Sequence, residues 1–129
     1  DLDWVRFLGF RNQSELPSIY AMSDVFALPS RDEPWGLAVN EAMACGTAVI
    51  STDQCGCSAD LVDDVVGRSV PADDCDALAA ALCHVLGNAG ANEAMGRAAQ
   101  DRIAKWSYAE DIAGLRVALT AVGAMPSPT

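Results

Sequence analysis

Two carboxylates eight positions apart, Glu33 and Glu41, are the side chains best placed to do chemistry in this sequence. Glu33 stands beside Pro34 in a loop, and Glu41 lies among Leu37, Ala38, Ala42, Ala44 and Cys45. The run Leu37 to Cys45 has no proline or glycine and is almost entirely apolar, so it is expected to be a buried helix. A buried carboxylate is costly unless donors meet it, so Glu41 is expected to need partners from protein or ligand. With the helix starting near Gly36, Glu41 falls roughly 7 Å from the first free amides. Such amides, with the helix dipole, attract an anion, and phosphate is the usual guest. Carboxylates in turn accept paired sugar hydroxyls. A sugar nucleotide would satisfy both, with its diphosphate at Gly36 and Leu37 and hydroxyl groups on either side. The same spacing allows a structural Glu41 bonded to a neighbouring loop and a simply solvated Glu33.

Other reactive side chains offer less. Cys55-Gly56-Cys57 could chelate a soft metal, but no second Cys or His pair has zinc-site spacing and His84 is the single histidine. No metal site is expected. Five cysteines without a secretory signal read as reduced thiols in a cytosol. The segment Thr52 to Ala59 follows a strand and is rich in Gly, Ser and Cys. It is either a ligand loop at a strand's carboxyl end or an ordinary connection.

The elements that must hold these residues are legible around them. Val25-Phe26-Ala27-Leu28, ending at Pro29, and Ala48-Val49-Ile50 are short apolar strands. Gly46 closes the helix between them, so strand, loop, helix and strand form a βαβ unit with a parallel pair. Upstream, Leu2 to Leu8 reads as a strand and Ser14 as the N-cap of a helix through Met22, burying Leu16, Ile19 and Tyr20. Val65 to Pro71 reads as a strand pair or bend. Beyond Asp73 the chain turns helical, with an inward stripe of Leu78, Ala81, Leu82, Val85 and Leu86 and with His84 pointing outward. A helix over Ala91 to Lys105 turns Met95, Ala98, Ala99 and Ile103 inward. Another opens on the capping box Ser107 to Glu110 and is expected to bury Ile112, Leu115, Leu119 and Val122. Trp106 should pack where these two helices meet. The expected fold is α/β, a doubly wound (Rossmann-like) parallel sheet of about four strands with a helical C-terminal third.

The run Ser30-Arg31-Asp32-Glu33-Pro34-Trp35-Gly36-Leu37 with Glu41 resembles the Glu-x7-Glu motif of retaining glycosyltransferases of the GT-B fold, family 4 type. Ser23 to Ser30 and Glu41 to Ile50 extend the resemblance, which is dense from Val5 to Val62 and thinner through Trp106. Ala48 stands where the family often has proline. The resemblance implies the C-terminal, donor-binding half of a two-domain, hexosyltransferase-type enzyme, metal-independent and without a cofactor. Its substrate would be a nucleotide-diphosphate sugar. Glu33 would hold hydroxyls of the donor sugar, Glu41 the ribose, and the amides of Trp35, Gly36 and Leu37 the phosphates and sugar. More loosely, Phe10 and Arg11 would lie near the nucleobase. The basic residues for the diphosphate, and the N-terminal acceptor-binding domain with its histidine, would lie outside this chain, which alone would be inactive. A GT-B nucleotide-sugar epimerase, or a non-catalytic nucleotide-binding or scaffold domain, is the alternative. Residues 1–122 would form the donor-binding domain, lacking its first βα units, and 123–129 a disordered tail.

Composition sets the outer bounds. The chain has 129 residues, 51% of them apolar, enough for one folded domain. A net charge of −10 excludes a nucleic-acid partner, whose phosphates need clustered Lys and Arg. No apolar run approaches the ~20 residues of a membrane span. A cytoplasmic setting is expected, with room for peripheral association of the full-length protein at the inner membrane's cytoplasmic face.

Overall fold

Alternating side chains along two short apolar runs build the centre of the molecule. In the computed structural model, which describes residues 2–124, the chain order is α1 (Leu16–Ala21), β1 (Val25–Leu28), α2 (Leu37–Ala44), β2 (Ala48–Thr52), α3 (Ser58–Leu61), β3 (Gly67–Val70), α4 (Cys75–Leu86), α5 (Ala89–Ile103) and α6 (Tyr108–Ala121). β1 pairs parallel to β2, with Val25 opposite Ala48 and Leu28 opposite Ser51. The segment expected as a strand pair or bend is β3, a third parallel strand on the far edge of β2. All of β2 is buried, as befits a strand covered on both faces. Val49 turns toward Val39, Ala42 and Met43 of α2, Leu61 of α3 and Ala99 of α5. Ala48 and Ile50 turn the other way, against Ala81 and Val85 of α4. The sheet is thus wound with helices on both faces, as expected, and has three strands where about four were read.

Four other expectations fail for stated reasons. Leu2 to Leu8 forms no strand: Phe7 is 94% exposed, and the segment begins with a turn in which Val5 N donates to Leu2 O. A strand needs a neighbour to take its backbone bonds, and no described strand lies beside it. Ser14 does not cap α1. Asn12 and Glu15 bond reciprocally instead: Glu15 N donates to Asn12 Oδ1 at 3.2 Å and Asn12 N to Glu15 Oε2 at 3.1 Å. Finally, α6 has its capping box but buries nothing, with Ile112, Leu115 and Val122 all more than half exposed. Its stripe packs into neither core cluster. Leu86, expected inward on α4, is also half exposed at that helix's end. Gly123 and Ala124 close α6 through bonds to Thr120 O and Leu119 O. The remaining tail residues lie outside the described part.

Candidate functional site

Two loops at the carboxyl ends of β1 and β2 are stitched together, and Glu33 sits in the seam. Its amide donates to Gln54 O at 3.2 Å, and its carbonyl accepts from Gly56 N at 2.9 Å. Cys57 N adds a bond to Trp35 O at 2.9 Å. The approach is so close that a Cβ on Gly56 would lie 2.1 Å from Pro34 O. Glu33 therefore stands half-buried on a fixed backbone, its Oε1 accepting from Trp35 N at a long 3.5 Å. Gly36 then turns the chain into α2 with φ of 96°, a left-handed conformation that glycine adopts without strain. No side chain caps this helix. Val39 N bonds Gly36 O, while the amides of Gly36, Leu37 and Ala38 make no hydrogen bond among the described residues. A bare helix start thus follows directly on Glu33.

Glu41 lies one turn further on, and here the expectation of burial is corrected. Only one side of α2 packs, through Val39, Ala42 and Met43. Leu37 (68% exposed), Glu41 and Ala44 form an open face. Glu41 needs no desolvation: its Oε2 accepts from the Tyr20 hydroxyl at 3.0 Å, and the rest of the carboxylate meets solvent. It lines two hollows. One, of about 240 Å³, is bounded by Gln13, Leu16, Pro17, Tyr20 and Cys45. The other, of about 400 Å³, is bounded by Asn40, Gln100, Ile103 and Trp106. Trp35 folds beside the second, donating Nε1–H to Asn40 Oδ1 at 3.2 Å. Trp106, sited where α5 leads into α6, packs on Trp35 with ring centroids 5.7 Å apart and is 43% exposed.

The other candidates fall elsewhere. Phe10 is 93% exposed, and Arg11 pairs with Glu15 at 3.2 Å beside a separate hollow lined by Leu8 and Ile19. The structure brings neither to Glu33 or Glu41. Cys57 is fully buried in the core, its thiol pushed up to about 11 by burial and by neighbouring Cys55, so it stays protonated at neutral pH. Cys55 turns its Sγ to Leu28 O and Thr52 Oγ1. Among the described residues no three His, Cys, Asp or Glu side chains converge as metal ligands would. The exposed His84 meets Arg68, its Nε2 2.7 Å from Nη2. A cleft of about 360 Å³ opens by α4, where Arg31 Nε donates to Asp73 Oδ1 at 2.6 Å. Sequence reading had not singled out Tyr20 or Asn40 as site residues. The signal existed: a tyrosine in a buried stripe needs a partner for its hydroxyl, and a carboxylate in an apolar helix needs a donor.

A parallel α/β sheet with this loop-and-helix crossover is the architecture of a GT-B glycosyltransferase domain. It superposes on a sucrose-phosphate synthase from Thermosynechococcus elongatus with a TM-score of 0.80 and 30% identity, over 94% of this chain and 31% of that one. Residues 2–102 match the family described as glycosyl transferases group 1, and the chain belongs to that family. Similar curated proteins include a D-inositol 3-phosphate glycosyltransferase of Salinispora tropica, 36% identical over 82% of this chain and 22% of its own length. The protein of the same name from Corynebacterium urealyticum is 38% identical over 81% of this chain and 24% of its own length. The chain therefore spans under a quarter of the length of these two relatives.

Proposed function

We infer that the protein to which this chain belongs is a retaining glycosyltransferase of family 4 type, and that this chain holds its nucleotide-diphosphate-sugar donor. The observation that carries this is the bare start of α2 between two carboxylates, with unbonded amides at Gly36 to Ala38, Glu33 fixed before them and Glu41 open after them. A diphosphate suits the amides. Glu33, on its stitched loop, takes hydroxyls of the sugar being transferred, and Glu41 takes the ribose. Trp35, Gly36 and Leu37 supply backbone donors to the phosphates and sugar. The names of the relatives support glycosyl transfer, and the family match supports the group. The reading needs no metal: the charge of the leaving diphosphate is met by the helix start and by basic residues outside this chain. Acceptor binding and any catalytic acid or base also lie outside it, so this chain alone is inactive.

Titrating the chain with UDP, GDP and ADP while following amide NMR shifts tests donor binding. Each charge-assisted contact absent here is worth ~1.5–3 kcal/mol, so affinity near millimolar is expected. Shifts should centre on Gly36, Leu37 and the residues around Glu41. Shifts confined to α4, α5 and α6 would rule the reading out.

A further inference from the structure

A carboxylate on an open helix face samples several rotamers, and only some of them point at a ligand. Glu41 is on such a face, yet one of its oxygens is held, by the Tyr20 hydroxyl at 3.0 Å. Tyr20 is itself fixed from three sides. Its ring stands edge-on to Phe26 with centroids 5.4 Å apart. Its carbonyl accepts from Thr47 Oγ1 at 2.7 Å, and it is 8% exposed within the main core. Burial, and then the Glu41 carboxylate, push the phenol up to about 12, so it remains a proton donor across the neutral range. Among the described residues Tyr20 is the one side chain that hydrogen-bonds Glu41.

We propose that Tyr20 is a positioning residue for the donor: it locks the Glu41 carboxylate in the orientation that meets the paired hydroxyls of the nucleotide's ribose. The inference rests on Glu41 being the ribose-binding carboxylate. An ionised carboxylate has about four acceptor positions, so one bond from Tyr20 leaves room for both hydroxyls. The arrangement transmits order from the core to the open face. Phe26 and Thr47 fix Tyr20, and Tyr20 fixes the one exposed carboxylate that the nucleotide would touch on α2.

The test is donor kinetics on the full-length protein. Tyr20→Phe keeps the ring and its packing on Phe26 and removes only the hydroxyl. The donor KM should rise roughly five- to tenfold, with kcat and the melting temperature unchanged. In a Glu41→Ala background, Tyr20→Phe should add no further rise, because the group that it orients is gone. The same rise in both backgrounds, or a drop in melting temperature with KM unmoved, overturns the positioning role and leaves Glu41's role standing. A donor KM indifferent to Glu41→Ala overturns the reading of Glu41, and the role of Tyr20 with it.

Discussion

Glu33 and Glu41 are held in different ways, and on the proposed reading the difference suits them to different work. Glu33 rides on a backbone bonded on both sides to the loop after β2, so its carboxylate can be aimed without help from a ligand. Such rigidity matters where charge develops during reaction. Glu41 stands on a helix face with one protein partner, and ribose contacts are alike in ground and transition states. On the proposed reading, Glu33→Gln in the full-length protein should lower kcat by roughly tenfold or more with a smaller change in donor KM. Glu41→Gln should mainly raise donor KM. Steady-state kinetics with varied donor separates the two, and matching effects on both parameters in both variants would show the roles to be wrongly divided. The positions of both residues were legible in the sequence, since the glycines and flanking strands mark where loop and helix meet. The exposure of Glu41 was not. An apolar composition says that a helix can be buried, but which faces are covered depends on neighbours, and Leu37 and Ala44 stay exposed.

At the scale of elements, what was legible and what was not divide along local and non-local physics. Pro29, Gly36 and Gly46 bound β1, α2 and β2 nearly where the sequence put them, because each acts through its own backbone. The failed strand at Leu2 to Leu8 depended on a partner that local pattern cannot supply. Two predictions concern how elements are tied. Adding a Cβ at Gly56 drives it into Pro34 O and parts the loops that fix Glu33, so Gly56→Ala should cost ~2–3 kcal/mol, read as a melting temperature lower by roughly 5–10 °C. An unchanged melting temperature would mean that the seam is loose. The second tie is Arg102 of α5, which donates to Leu61 O and Asp63 Oδ2, both at 2.9 Å, anchoring the helix's last turn to the segment before β3. The hydrogen bond from Arg102 holds the Asp63 carboxyl below its ordinary range. A carboxyl depressed in the folded state adds stability above its unfolded pKa near ~4, and that stability fades as pH falls through the folded value. Asp63 is half exposed, so the screened contribution stays below about 1 kcal/mol. Asp63→Asn should therefore melt slightly below the parent at pH 6, with the gap closing toward pH 3. A gap constant across that range would place the effect elsewhere.

Taken whole, the molecule is uneven in its stability. β2 is buried from end to end, and α2 and α4 close over its two faces, while α6 contributes no buried residue to either core cluster. The stripe of Ile112, Leu115, Leu119 and Val122 was read as inward because helical periodicity identifies an apolar face without identifying what covers it. Cooperative units open separately when few buried contacts join them. α6 holds itself through its capping box, in which Ser107 N donates to Glu110 Oε2 at 3.0 Å, and through its own backbone, and isolated helices of this length are marginal in water. Amides of β2 and the buried side of α2 should therefore exchange with deuterium only through global opening, while those of α6 exchange orders of magnitude faster by local unwinding. Gly114 makes this quantitative. It lies within α6 with open space where a Cβ would go, so Gly114→Ala should favour the helix by roughly 0.5–1 kcal/mol. If α6 opens alone, that gain slows α6 exchange about twofold to fivefold and leaves the main melting transition where it was. If the melting transition climbs with it, α6 is coupled to the sheet after all, and its apolar stripe has a partner within this chain.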